Sequence, residues 1–262
     1  QVSAFRLYQG GPNSRVAVDN FPYSGKVLTH SANAIVTDSA SSGTAFSTGK
    51  KTNNRALGVD VNEQPIENIT ETLDRSGYVS SVISTSEVTH ATPAAFVVHT
   101  SSRYLTDEIS IQMTDSKIKN ILGGGRKFFI PEEDGGNRED GIKLIEKIKS
   151  KSRLITDKSE LSNPASYGDS QVFGLFADEH LRDENTPENH STEPSIEKML
   201  EFSVNRSKEF LKNGCRGFFI MAEASQVDWA GHGNDFEYLM REMSDLKDGI
   251  KWALEFAKKN QD

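Results

Sequence analysis

Apolar positions along the chain follow helical spacing in some segments and strand-like runs in others, and the two kinds alternate. Val2, Phe5 and Leu7 within Gln1–Gln9, ahead of Gly10-Gly11, predict a short helix. Asn33-Ala34-Ile35-Val36 reads as the end of a short strand, and Thr44–Gly49 as a helix that stops at its glycine. Glu67–Arg75 is helical in pattern and ends at Gly77, and Tyr78–Thr85 is rich in β-formers. Ile118–Leu122 reads as the close of a helix before the triple glycine Gly123–Gly125. Gly141–Ser150 is an amphipathic helix and Val172–Phe176 a short strand. Ser195–Asn213 is an amphipathic helix ended by Gly214, Gly217–Ala222 a buried strand, and Phe236–Lys259 a long helix. Strands separated by helices predict an α/β fold of three layers, α/β/α, with a largely parallel central sheet. Residues 1–262 read as a single domain with a less ordered polar insert around 131–194. Within it, Pro131–Asn137 and Asp183–Glu193 are richest in turn formers.

Composition narrows the class. The chain has 262 residues, 26% charged and 35% hydrophobic, enough for one large globular domain. A formal net charge of -8 argues against nucleic acid or an acidic membrane surface as main partner. An acidic enzyme for anionic substrates must create positive potential locally, from arginine or metal ions. Cys215 is the only cysteine, so an intramolecular disulfide is excluded. No apolar run approaches the ~20 residues of a bilayer span. The chain opens at Gln1 rather than methionine, which reads as a processed or cut start.

Val36-Thr37-Asp38-Ser39-Ala40-Ser41-Ser42-Gly43-Thr44 is the most informative segment. A serine at a strand-to-helix junction faces free backbone N–H groups and the positive end of the helix dipole. Small neighbours let a group such as phosphate approach the backbone. The segment alone equally fits a serine nucleophile for an anionic substrate and a plain Asp38/Ser39 helix cap. Three more clusters follow strand ends, where ligands of open α/β sheets collect. Ser84–Pro93 with Ser102-Arg103 offers hydroxyls for a hard cation, His90 as a ligand or outer-shell group, and the planar fork of Arg103 for phosphate oxygens. Glu223–Asn234 offers Glu223, Asp228 and His232 as oxygen and nitrogen donors, with the i,i+4 spacing of Asp228 and His232 able to aim both at one ion. Leu122–Arg126 lacks phosphate-loop spacing and reads as a structural turn.

As a set, these blocks resemble the alkaline phosphatase family. Val36–Thr44 meets its Val-x-Asp-Ser-(small)₄-Thr pattern at every position, and Ser84–Phe96, Leu122–Gly125 and Glu223–His232 are similar to three further blocks. The resemblance implies phosphomonoester hydrolysis through a phosphoseryl intermediate on Ser39, with Arg103 binding the phosphate oxygens. It implies Asp228 and His232 as ligands of one zinc, Ser39 at the other, and Thr92 and Glu223 as ligands of magnesium: two Zn²⁺ and one Mg²⁺ per complete site. His90 and Trp229 stand where family members vary, as modulators near the site beside Asp38. It also implies small phosphomonoesters and inorganic phosphate as partners, a homodimer, and a periplasmic or secreted location.

The same comparison implies donors that this chain lacks: an aspartate in a Gly-Asp-Gly-type first strand, an Asp-His pair beyond the long helix, and a final histidine. The chain resembles roughly the middle half of the family, truncated at both ends. Weak zinc binding, little or no activity alone, and sheet edges open to pairing are therefore expected. The rival readings are a phosphodiesterase or sulfatase of the wider superfamily and a non-catalytic phosphate- or metal-binding remnant. The Cys/Ser-x-Pro-x-Arg segment of sulfatases and the G-x-S-x-G elbow of serine hydrolases are absent.

Overall fold

The computed structural model describes residues 1–182 and 192–260. In chain order the elements are α1 (Val2–Tyr8), α2 (Ser39–Thr48), α3 (Ile69–Arg75), β1 (Tyr78–Glu87), α4 (Ala91–Ala95), α5 (Thr106–Asp115), β2 (Asn120–Gly124), α6 (Leu144–Lys151), β3 (Arg153–Ile155), β4 (Val172–Leu175), α7 (Ile196–Lys212), β5 (Gly217–Glu223), α8 (Gln226–Gly233) and α9 (Phe236–Lys259). The five strands form one sheet in the order β3-β4-β2-β1-β5, and every pairing is parallel.

Alternation along the strands fills both faces. Val82, Ile121, Phe173 and Met221 point into one core with α4, α5 and α6. Ile83, Leu122 and Val172 point into the other, beneath Ile196, Met199 and Phe202 of α7. Each fully buried side chain of this kind contributes roughly 1.5–3 kcal/mol, and the result is the three-layer α/β/α sandwich. A smaller core joins Phe5 of α1 to Val227 and Ala230 of α8 and to Leu239, Met240 and Met243 of α9. Among the described residues, no helix is long and apolar enough to cross a membrane.

The local signals are legible where polar side chains cap a helix. Asn68 accepts from the N–H groups of Thr70 and Glu71 while Glu71 reaches back to Asn68, so α3 starts at Ile69 rather than Glu67. Ser195 caps α7 and Asp235 caps α9. Gly49, at φ 72°, closes α2.

Three expectations fail. Ile118–Leu122 does not close a helix: Asn120–Gly124 is strand β2, buried throughout. A short apolar run fits either element, and burial between two sheet neighbours decides for the strand. Asn33–Val36 is not a strand. It is a loop held by Asn54, whose side chain donates to the Val36 carbonyl (3.0 Å) and whose backbone N–H donates to Asn33 (2.9 Å), with Ile35 and Val36 exposed. Strand β5 is not buried along its length, since it is the sheet edge and most of its residues are partly exposed. The polar stretch Pro131–Asn137 forms a short 3₁₀ turn at Glu132–Asp134 that folds back on Arg138. Of Asp183–Glu193, residues 183–191 lie outside the described residues.

Strand register places the chemistry. Glu87 at the end of β1 lies beside Gly124 of β2, and Ser84 lies beside Glu223 of β5. The carboxyl ends of the strands thus share one rim, where the segments following β1, β4 and β5 meet.

Candidate active site

Ser39 is the first residue of α2, with Asp38 as its cap. Asp38 Oδ1 accepts from the Ser41 N–H (2.9 Å) and the Ser41 hydroxyl (3.0 Å). Its Oδ2 accepts from the Arg55 N–H (3.0 Å) and faces Arg103 Nη1 (3.5 Å). Arg55 is held at φ 76°, an uncommon conformation for a residue with a side chain, so that its N–H meets Asp38 and its carbonyl takes the Arg103 N–H (2.8 Å). Burial pushes the Asp38 carboxyl up. The hydrogen bonds from Ser41 and Arg55 and the charge of Arg103 outweigh it, and the net shift is below the ordinary carboxylate value.

Arg103 binds two partners. Its Nη2 lies 3.0 Å from His90 Nε2, and its side chain is only 17% exposed. A guanidinium can only donate, so His90 accepts at Nε2 and carries its proton on Nδ1. That Nδ1 is buried with no hydrogen-bond partner among the described residues. Burial and then Arg103 push the His90 imidazole below its usual range, against the upward pull of Glu87 and Glu223. Thr92, on the short helix α4, is partly exposed, and its backbone passes close to Gly43 of α2.

The third wall comes from β5 and α8. Glu223 Oε2 accepts from the hydroxyls of Ser225 (2.6 Å) and Ser84 (3.1 Å), both buried and bonded further to Ser86. Trp229 stands edge-on to His90 at 5.7 Å between ring centroids and lies 4.1 Å from the ring of His180. His180 also pairs with Glu87. Burial raises the Glu87 carboxyl, but the bond and charge of His180, and then His90, hold it below the ordinary range. Asp228 and His232 face each other on α8 at 3.5 Å, with side chains 61% and 79% exposed.

Of the residues singled out in the sequence, Asp38, Arg103 and His90 come together, Ser39 follows Asp38 as the first residue of α2, and Trp229 packs on His90. Glu223 lies close enough to act on His90 electrostatically. Asp228 and His232 stand as a pair on the solvent side. Among the described residues, no three His, Cys, Asp or Glu side chains converge closely enough to hold a metal ion. Sequence reasoning missed Asn54, Arg55, Glu87 and His180. His180 follows the end of β4 by five residues, and the rule that ligands gather beyond strand ends would have flagged it. Arg55 and Asn54 act through backbone groups or as anchors and leave no such signal.

The family model described as alkaline phosphatase matches residues 1–262, the whole chain. The chain belongs to the alkaline phosphatase family. It is similar to alkaline phosphatase 4 of Bacillus subtilis, 37% identical over 245 residues that cover 90% of this chain and 50% of that protein. To the alkaline phosphatase of Escherichia coli K12 it is 28% identical, over 99% of this chain and 64% of that one. Among solved structures, the alkaline phosphatase of the Antarctic bacterium TAB5 superposes with a TM-score of 0.83 at 31% identity, covering 99% of this chain and 72% of that chain. The chain thus spans about half the length of the Bacillus alkaline phosphatase. Over 99% of this chain the three-layer α/β/α fold is shared with the TAB5 structure.

Proposed function

We propose that this chain carries the nucleophile and phosphate-binding part of an alkaline phosphatase-type phosphomonoester hydrolase. The observation that supports it most is that Asp38, the cap directly before Ser39 at the start of α2, faces the guanidinium of Arg103, which in turn touches His90. Arg103 binds two non-bridging oxygens of the phosphate with its planar fork. The N–H groups of the first turn of α2 carry further negative charge. Ser39 Oγ attacks phosphorus, the bond to the leaving alkoxide breaks, and the serine proton leaves with the alcohol. Water then attacks the phosphoserine, releasing inorganic phosphate and restoring the hydroxyl. Asp38 acts as a positioning residue, fixing both α2 and Arg103.

Metal ions belong to the same reading. Two solved TAB5 variants are described with Mg bound in a site named M3. The donor types here suit the ions that the resemblance implies: Asp228 and His232 for zinc, Thr92 and Glu223 for magnesium. The number of donors does not suit them, because a zinc site needs three or four protein ligands and the exposed Asp228–His232 pair supplies two. A bound zinc would lower the serine pKa and stabilise the leaving oxygen.

This shortage favours a second reading, in which the chain binds phosphate but turns over little on its own. The discriminating experiment is p-nitrophenyl phosphate hydrolysis at alkaline pH with added Zn²⁺ and Mg²⁺, run beside isothermal titration with inorganic phosphate. Phosphate binding with little turnover is expected; turnover at the level of complete relatives overturns the donor argument, and no phosphate binding overturns the site. Small phosphomonoesters as substrates, a homodimer, and a periplasmic or secreted location complete the proposal.

A further inference from the structure

The amino ends of β1 and β2, with α3 and the segment joining α5 to β2, enclose a cleft of about 530 Å³. It lies at the opposite end of the sheet from the candidate active site. Ser80 in its wall is separated along β1 from Glu87 on the other rim by roughly 20 Å at strand spacing. Asp38, Ser39, His90, Arg103 and Glu223 take no part in its lining.

The cleft joins an apolar floor to two hydroxyls. Val97 and Ile118 belong to the core on this face of the sheet, and Pro65 and Tyr78 extend the floor. Strand alternation turns Ser80 to the same face as Val82, which packs in that core with Val97 and Ile118. Ser80 is only 5% exposed, and its hydroxyl has no hydrogen-bond partner among the described residues. The Ser116 hydroxyl, in the wall between α5 and β2, is enclosed and unpartnered in the same way. A buried hydroxyl left without a partner is unfavourable. Two of them lining one cleft point to a polar group brought in from outside.

The charges around the cleft already have partners. Lys117 binds Asp74 at 2.9 Å, Arg75 pairs with Glu67, and Glu71 faces His99 Nε2 at 3.0 Å. Asp115 takes Lys147 and Lys151 at 2.8 and 2.7 Å, and Lys119 donates to the Asp169 carbonyl at 3.2 Å. A charged ligand would have to break one of these contacts or enter without a counter-ion. A hydrocarbon would leave both hydroxyls unpartnered. A neutral molecule with an apolar body and one group that both donates and accepts meets the two conditions together. The volume falls in the range of small-molecule sites.

We propose that this cleft is a second ligand site, for small neutral amides or alcohols carrying an apolar ring, with Ser80 and Ser116 as hydrogen-bond partners of the polar group. The inference goes beyond the phosphomonoester reading and does not depend on it. It is tested by following backbone amide signals of the whole chain during titration with benzamide, benzyl alcohol, benzoate and benzylamine. Benzamide and benzyl alcohol are expected to move the signals of Ser80, His99 and 116–119, and to bind about tenfold more tightly than benzoate or benzylamine. Ser80→Ala should weaken benzamide binding about fivefold, the loss of roughly one hydrogen bond. The same change should leave the thermal midpoint of the free chain unchanged or raised, because the hydroxyl it removes has no partner. Ser116→Ala gives the same pair of readings at a position outside the strands. Unmoved signals up to the solubility limit overturn the site, as does movement confined to 38–43, His90 and Arg103. Benzoate or benzylamine binding as tightly as benzamide overturns the neutral class. Parent-like benzamide affinity in both serine variants, or a lower thermal midpoint in both, overturns the part given to the hydroxyls.

Discussion

Asp38 is the residue on which the site turns, because one carboxylate joins the cap of α2, the strained backbone of Arg55 and the guanidinium of Arg103. Its folded pKa is depressed, so the stability it contributes is present above the ordinary carboxylate pKa and is lost as pH falls through the folded value. Asp38→Asn should therefore lower stability near pH 7 by roughly 1 kcal/mol and lose less than the parent on acidification. Urea unfolding at pH 7 and pH 3 reads both effects, and parallel losses in the two proteins would refute the assignment. Arg103→Ala should weaken inorganic phosphate binding by at least about tenfold, the equivalent of one charge-assisted hydrogen bond. Calorimetric titration at fixed ionic strength measures this loss. The cap at Asp38 was legible in the sequence because an Asp-Ser pair ahead of small residues is a local helix-start signal. Arg55 was not, since its part is played by backbone atoms in a left-handed conformation that no side-chain pattern announces.

Helix α2 packs against α4 through Gly43, where a Cβ would lie 2.9 Å from the Cβ of Ala95. Gly43→Ala should cost about 1–3 kcal/mol by overpacking, seen as a lower thermal midpoint, whereas Gly25→Ala, with open space around it, should stay within about 0.5 kcal/mol. A Gly43→Ala protein as stable as the parent would mean that the two helices are not held at this spacing. Long or capped elements were readable in advance: α7 and α9 carry strong amphipathic spacing over 17 and 24 residues and side-chain caps. Short segments were not. Asn120–Gly124 has too few residues to show a period, and Asn33–Val36 has strand composition with no neighbouring strand among the described residues. Helix α8 shows no clear apolar period, because Asp228, Gly231 and His232 interrupt its buried apolar positions Val227 and Ala230.

At the scale of the whole molecule, the sheet has a fully parallel interior and a bare outer side at β5 among the described residues. Unpaired strand edges recruit other chains. The chain should therefore associate as concentration rises, and Ala222→Lys, which adds a charge at an exposed position of β5, should reduce that association in light scattering. An unchanged concentration dependence would place the contact elsewhere. The order of strands, β3-β4-β2-β1-β5, could not be read from the sequence, because local periods say nothing about which strands become neighbours. That order is nevertheless what aligns Glu87, Gly124 and Glu223 on one rim. The two tryptophans divide this architecture between them. Trp229 lies against His180 and His90, while Trp252 stacks on Phe256 next to Phe218 of β5. Each indole therefore serves as an optical reporter for one open side of the molecule. Emission from a Trp252→Phe protein follows events between the imidazoles, and emission from a Trp229→Phe protein follows whatever covers the sheet edge.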